Sequence, residues 1–201
     1  MAPFFFGPGG GQLFGIYHPP QRENEARPAL LMCCPFGHEA IRVLRLYRVL
    51  TDRIARLGIA VLRFDFFGPG ESGGDDAEGE MKGWHLDLLR AHAELMSRSG
   101  SQDVTWLAAR LGATGALQGA RPANDLRKLI LWEPILDGLA YVEELHAGQL
   151  AMLEVGYYAK NSAWYQRRKG NDGPLITEAL GHRIGSDLAA QWAALKPESL
   201  T

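Results

Sequence analysis

Four short apolar runs set the rhythm of the first two-thirds of the chain: residues 29–34, 59–65, 104–107 and 129–132. Runs without polar alternation mark strands buried on both faces, as in a parallel sheet covered by helices. Between the first two runs, Val43, Leu46, Tyr47, Leu50, Ile54 and Leu57 recur at helical spacing over residues 39–57, and Gly58 supplies a stop. Trp84, Leu88 and Leu95 lay a similar stripe along residues 84–96, and residues 111–120 read as a helix of small side chains. Ahead of all these, Phe4-Phe5-Phe6 and residues 13–17 flank Pro8-Gly9-Gly10-Gly11, the pattern of a β-hairpin with a glycine-rich turn. Strands alternating with helices predict βαβ units. The expected architecture is α/β, a mostly parallel sheet opened by an N-terminal hairpin.

After Pro134 the strand signal fades. Residues 138–155 read as a helix, 156–174 as a polar and aromatic stretch, and 187–195 as a last short helix. Two regions are therefore expected: a core over residues 1–137 and a helical, cap-like segment over 138–201.

Composition narrows the function classes. The 201 residues are 46% apolar and 22% charged, ordinary for a globular protein, and 21 Lys+Arg against 23 Asp+Glu leave a net charge of −2. Such a chain has no general attraction for nucleic acid or anionic lipid. No apolar run approaches the roughly 20 residues of a membrane span. The start, Met1-Ala2-Pro3-Phe4, lacks the basic region of a signal peptide, so a cytoplasmic location is expected. Cys33 and Cys34 are adjacent and, about 3.8 Å apart at Cα, ill-suited to a disulfide. They read as small hydrophobes in a buried strand. The six histidines are scattered with no metal-ligand spacing, and the glycine runs lack phosphate-loop endings, so no cofactor or metal is expected. Arg167-Arg168-Lys169 reads as a solvated basic face.

In an open parallel sheet, ligands sit beyond the carboxyl ends of the strands. The loops there read Pro35-Phe36-Gly37-His38-Glu39, Phe66-Phe67-Gly68-Pro69-Gly70-Glu71-Ser72-Gly73-Gly74, Ala108-Ala109-Arg110-Leu111-Gly112 and Glu133-Pro134-Ile135-Leu136-Asp137. With these loops the chain resembles the α/β-hydrolase superfamily. The carrying residues are the opening hairpin, the strand ending in Pro35-Phe36-Gly37-His38, and Asp65-Phe66-Phe67-Gly68-Pro69-Gly70-Glu71-Ser72, which is similar to the family's D-x-x-G-x-G-x-S loop. More narrowly, the chain looks like the serine-aminopeptidase-like group that includes the exosortase A system-associated hydrolases of bacteria. The likeness covers about the first 140 residues.

The resemblance implies a three-layer fold and hydrolysis of an ester, thioester or amide. It also implies that the nucleophile elbow, G-x-S-x-G in the family, aligns with Ala108-Ala109-Arg110-Leu111-Gly112. Ala108 and Gly112 keep the small flanks, but the central residue is Arg110. A guanidinium stays protonated and has no lone pair to attack a carbonyl. Serine-type catalysis at this elbow is excluded on chemistry. The family's acid and histidine follow two later strands, which this sequence does not display; His146 and His182 read as solvent-exposed.

Ser72, in Gly70-Glu71-Ser72-Gly73-Gly74, matches the elbow formula but lies several residues beyond its strand, so it reads as a loop residue, with Asp65 anchoring that loop. The resemblance further implies an oxyanion hole from backbone N–H groups near Phe36 and at Leu111. Phe36, Gly37 and His38 then either line an anion-binding pocket or pack their loop against the first helix. Arg110 needs an anion. Glu39, Glu71, Glu133 and Asp137 are at hand, with Glu133 or Asp137 the expected partner; the alternative is a clamp for an anionic ligand.

Three functions follow as expectations. The first is a pseudoenzyme or ligand-binding homologue taking a small acyl or anionic ligand. The second is an active hydrolase using Ser72, or a water activated by His38. The third is an accessory protein of a surface-polysaccharide or exosortase system. A homo- or hetero-oligomer is expected to form through the apolar edge Leu129-Ile130-Leu131-Trp132.

Overall fold

A computed structural model describes residues 1–23, 27–155 and 178–200. The polar and aromatic stretch at 156–174 and the basic run Arg167-Arg168-Lys169 lie outside the described residues. The chain divides into two compact units, Met1–Ile135 and Leu136–Thr201.

The first unit is built on a six-stranded sheet. β1 (Ala2–Phe6) and β2 (Leu13–His18) form the hairpin, Phe6 opposite Leu13. β3 (Ala29–Cys33) and β4 (Ala60–Phe64) are buried at every position, apolar throughout except for Arg63 of β4. β5 (Val104–Ala109) and β6 (Leu126–Trp132) complete the order β1-β2-β4-β3-β5-β6, in which β3 to β6 are parallel and the hairpin joins β4 antiparallel.

Alternation along the strands sorts the core into two layers. α1 (Gly37–Arg56) sets Tyr47, Val43, Leu50 and Ile54 against Leu30, Met32, Val61 and Ala109 on one face. α2 (Met81–Ser99) lies on the other face, where Trp106 Nε1 donates to His92 Nδ1 at 3.0 Å and His92 Nε2 is 2.7 Å from the Asn124 carbonyl. The His92 ring therefore accepts at one nitrogen and donates at the other, which requires the neutral form. α3 (Arg110–Gly119) follows β5 directly and packs beside α2. The result is the expected helix–sheet–helix arrangement.

β6 meets one of its two expectations. Its apolar run predicts burial on both faces, but the strand is the expected apolar edge, last in the sheet among the described residues, with Ile130 43% and Trp132 48% exposed. Hydrophobicity alone cannot distinguish a central strand from an edge, because burial depends on a neighbour that the local sequence does not name.

In the second unit, α4 (Gly138–Val155), a two-residue pairing of β7 (Glu178–Ala179) with β8 (His182–Arg183), and α5 (Ser186–Ala193) pack on one another. Tyr141 and Trp192 meet edge-on at 5.8 Å, and Gln149 Oε1 accepts from the Leu180 N–H at 2.6 Å. β7 and β8 are too short to leave a periodic signal. His146 on α4 and His182 on β8 are half-buried, a correction to their expected exposure. Both sit on elements whose other faces pack inward, which a scan for apolar runs does not reveal.

Candidate functional site

The turn from β5 into α3 is where the sequence places the expected elbow. Ala109 closes the strand in extended conformation, and Arg110 adopts φ +53°, the left-handed region that a non-glycine residue rarely occupies. The turn is tight because α3 approaches β3 closely. A Cβ at Gly112 would collide with the Cys34 carbonyl oxygen, so only glycine fits. Ala108 is fully buried beneath the turn. The small flanks read from the sequence thus have a steric role, and the tip they support is an arginine.

Arg110 Nε donates to Glu39 Oε1 at 2.7 Å, the two side chains being 24% and 16% exposed. Glu39 lies in the first turn of α1, where a carboxylate also complements the helix dipole. The sequence favours Glu133 or Asp137; the ion pair in the structure is with Glu39. Glu133 is exposed at the end of β6, with φ +47°, and Asp137 Oδ1 accepts instead from the Ala140 N–H at the start of its own helix, at 3.0 Å. Glu39 Oε2 is buried and makes no hydrogen bond.

The Pro35-Phe36-Gly37-His38 loop joins the same place. Phe36 is the extended residue before α1, and Gly37 follows at φ +58°. The Phe36 ring stacks toward Trp84 at 5.7 Å, Trp84 toward Phe66 at 5.2 Å, and Phe66 against Phe64 at 5.0 Å. The Phe36 ring thus meets Trp84 of α2. His38 is half-buried in the first turn of α1, and Leu111 is fully buried one residue past the elbow. Phe36, Gly37, His38, Glu39, Arg110 and Leu111 are brought to one end of β3 and β5.

Ser72 serves elsewhere. Its Oγ donates to the Asp65 carbonyl at 2.5 Å and accepts from the Phe14 N–H at 2.9 Å, with the residue 8% exposed. It ties the glycine-rich loop to the hairpin. Asp65 anchors that loop through Oδ2, which accepts from the Glu71 N–H at 3.1 Å. Burial raises the Asp65 carboxyl above its ordinary value, while the Glu71 N–H and Arg63 pull it back.

The sequence names Glu39 as a candidate without preferring it and gives Trp84 and Asp87 no role at the loop. Trp84 Nε1 donates to the Phe67 carbonyl at 3.1 Å, and buried Asp87 accepts from the Phe67 N–H at 2.9 Å, so α2 holds the loop from its far side. A signal existed for Asp87: a carboxylate on the apolar stripe between Trp84 and Leu88. Burial raises its carboxyl too, against the Phe67 N–H and Arg90.

Both cysteines are free thiols; burial pushes Cys34 up to about 12 and Cys33 well up, so neither is a nucleophile at neutral pH. Among the described residues no cluster of His, Cys, Asp and Glu could hold a metal, and no helix is long and apolar enough to cross a membrane.

The sheet order and the helices on its two faces give an α/β-hydrolase-like fold, and solved structures agree. Est1E from Butyrivibrio proteoclasticus, solved with ferulic acid bound, superposes with a TM-score of 0.64 at 17% identity, covering 98% of this chain and 73% of that one. The Pyrococcus furiosus esterase PF2001 gives 0.58 at 16% identity, covering 99% and 64%. XC6422 from Xanthomonas campestris, an α/β serine hydrolase without lid, gives 0.54 at 20% identity, covering 65% and 59%. The chain spans from 59% to 73% of the length of these structures. No protein-family model matches it, and neither does any curated protein sequence.

Proposed function

We propose that this chain is a non-catalytic α/β-hydrolase homologue that binds a small acyl or anionic ligand at the site where relatives carry the nucleophile. One observation carries the reading: the left-handed tip of the elbow is Arg110, ion-paired to Glu39. The fold's chemistry starts from a nucleophile at that tip, and no acid or histidine supplied from elsewhere makes a guanidinium attack a carbonyl. Ser72 is no substitute, since its proton and one lone pair are engaged in holding the loop.

On this reading residues 138–201 serve as a cap-like segment to the 1–137 core, and no cofactor takes part. The sequence likeness to exosortase A system-associated hydrolases supports a setting in bacterial cytoplasm beside surface-polysaccharide machinery. The exposed apolar side chains of β6 support a homo- or hetero-oligomer formed through that edge. Light scattering on the purified chain tests this last point.

Fluorophosphonate labelling of folded protein, with short acyl esters assayed on the same sample, tests the main proposal. The expected result is no labelled serine and no turnover. Labelling at Ser72 with turnover lost in Ser72→Ala, or turnover lost in His38→Ala, would overturn it.

A further inference from the structure

At the opposite end of the sheet from the elbow, a cleft of about 530 Å³ opens between the second half of α1 and the end of β2. Its walls include Arg48, Arg53 and Arg56 from α1 and Gln21 from the following connector, with His18 of β2 among the lining residues. The cleft is within the usual size range of small-molecule sites.

Two independent features mark it as a built site. The first is charge. From residue 42 to 56, α1 carries Arg42, Arg45, Arg48, Arg53 and Arg56 against the single acid Asp52, in a chain whose overall charge is −2. Within the cleft Asp52 is already committed: Oδ2 pairs with Arg56 at 2.8 Å and Oδ1 accepts from Gln21 Nε2 at 3.3 Å. Arg48 and Arg53 hold no carboxylate among the described residues. A concave, low-dielectric wall focuses the field of such unpaired cations.

The second feature is a buried polar atom without a partner. His18 is 4% exposed, and its Nε2 makes no hydrogen bond. A buried imidazole nitrogen left unsatisfied is unfavourable unless something occupies the space before it. Register explains its position. His18 stands opposite Val61 and Ile16 opposite Arg63, so His18 and Arg63 point to the α1 face of the sheet. Arg63 is buried there with its own Nε unpartnered, which adds positive charge behind the histidine.

We propose that this cleft binds a phosphate-type dianion, the group of a phosphomonoester, clamped by Arg48 and Arg53 and met at the buried end by His18 Nε2. Guanidinium forks match phosphate oxygens, and two uncommitted arginines supply the charge that a dianion neutralises and a monocarboxylate does not. Burial, the nearby Arg63 and the N-terminal amine hold His18 below the usual imidazole value, against Asp52. The ring is thus neutral before the anion arrives and can present one N–H to it.

The test is titration of the whole chain at neutral pH with inorganic phosphate and with pyrophosphate, read by calorimetry and by the His18 ring resonances, with acetate at matched ionic strength as the control. Saturable binding that moves the His18 resonances is expected. Arg48→Ala and Arg53→Ala, both at exposed positions that leave the fold intact, each weaken it about tenfold or more. Vesicles of phosphatidylcholine with and without phosphatidic acid distinguish the source: retention on the acidic vesicles, reversed by free phosphate, assigns a lipid headgroup, and its absence beside phosphate binding assigns a free ligand. The proposal is overturned if neither anion saturates below about 10 mM, if acetate binds equally well, or if both arginine variants bind like the parent.

Discussion

Residues 108–112 and 70–74 share one spacing, a small residue, a functional-looking centre two positions on, and a glycine two beyond that, and both follow strands of the same sheet. Their contacts differ completely. At 108–112 the turn is clamped between β5 and α3, Gly112 lies against the Cys34 carbonyl, and the central Arg110 is held in left-handed conformation with its side chain on Glu39. At 70–74 the chain is well past β4, and the central Ser72 is consumed in hydrogen bonds to Phe14 and Asp65. The serine is taken up in loop contacts, and the strand-to-helix turn carries an arginine. Spacing is therefore a weak guide unless the strand–turn–helix context comes with it.

Substitutions can break each half of that comparison. The largest effect is expected at Gly112→Ala, where the new methyl meets backbone rather than a flexible side chain; a loss of about 3 kcal/mol in urea unfolding is expected. Ser72→Ala follows, leaving the Phe14 N–H and the Asp65 carbonyl short of a buried partner, at about 2 kcal/mol. A nucleophile would show the reverse signature, unchanged stability with loss of labelling. Arg110→Ser strands the largely buried Glu39 carboxylate and costs about 1 kcal/mol, discounted for partial exposure. Most of that returns in the double variant Arg110→Ser with Glu39→Gln; if it does not, the pair is not what stabilises the elbow.

Acidification gives the smallest effect and separates the loop anchors from the histidines. Burial lowers His18, His85 and His92 below the ordinary 6.5, helped at His18 by Arg63 and the N-terminal amine; Asp52 opposes this at His18, Gln118 at His85, and the Asn124 carbonyl and Asp125 at His92. Near pH 6.5 the unfolded chain takes up protons that the folded chain refuses. The histidine contribution is thus complete above 6.5 and declines as pH falls toward the folded values. Asp65 and Asp87 have the opposite sign. Their raised values mean the folded form binds protons first as pH drops toward 3.8, which blunts the acid loss at the lower end. Urea midpoints at about pH 7.5 and 5.5 should fall with acid, and His92→Gln should reduce the slope. A flat profile would mean these histidines charge freely in the folded state.

Much of this was legible beforehand. The hairpin, the three interior strands and the helices of the first unit follow from periodicity, and so does the Asp65 anchor from its position at the strand end. The β7–β8 pairing and the arginine-lined cleft were not, because each depends on what lies alongside in space. The cleft shows why most clearly. Arg48, Arg53 and Arg56 read as ordinary polar positions of an amphipathic helix until β2 sets an unpartnered His18 nitrogen beside them.

By itself, the sequence determined that an arginine stands at the turn after β5, and a guanidinium cannot act as a serine nucleophile. That conclusion needs only the chemistry of one side chain and the small residues that flank it. Which carboxylate answers the arginine was decided by tertiary structure alone. Glu39 and Arg110 are 71 residues apart, and they meet because β3 pairs in parallel with β5, Cys33 opposite Ala108, so that both chains turn into their helices at the same end of the sheet. Local sequence encodes residue chemistry and periodicity; partners distant along the chain are set by strand pairing, which is a property of the whole sheet.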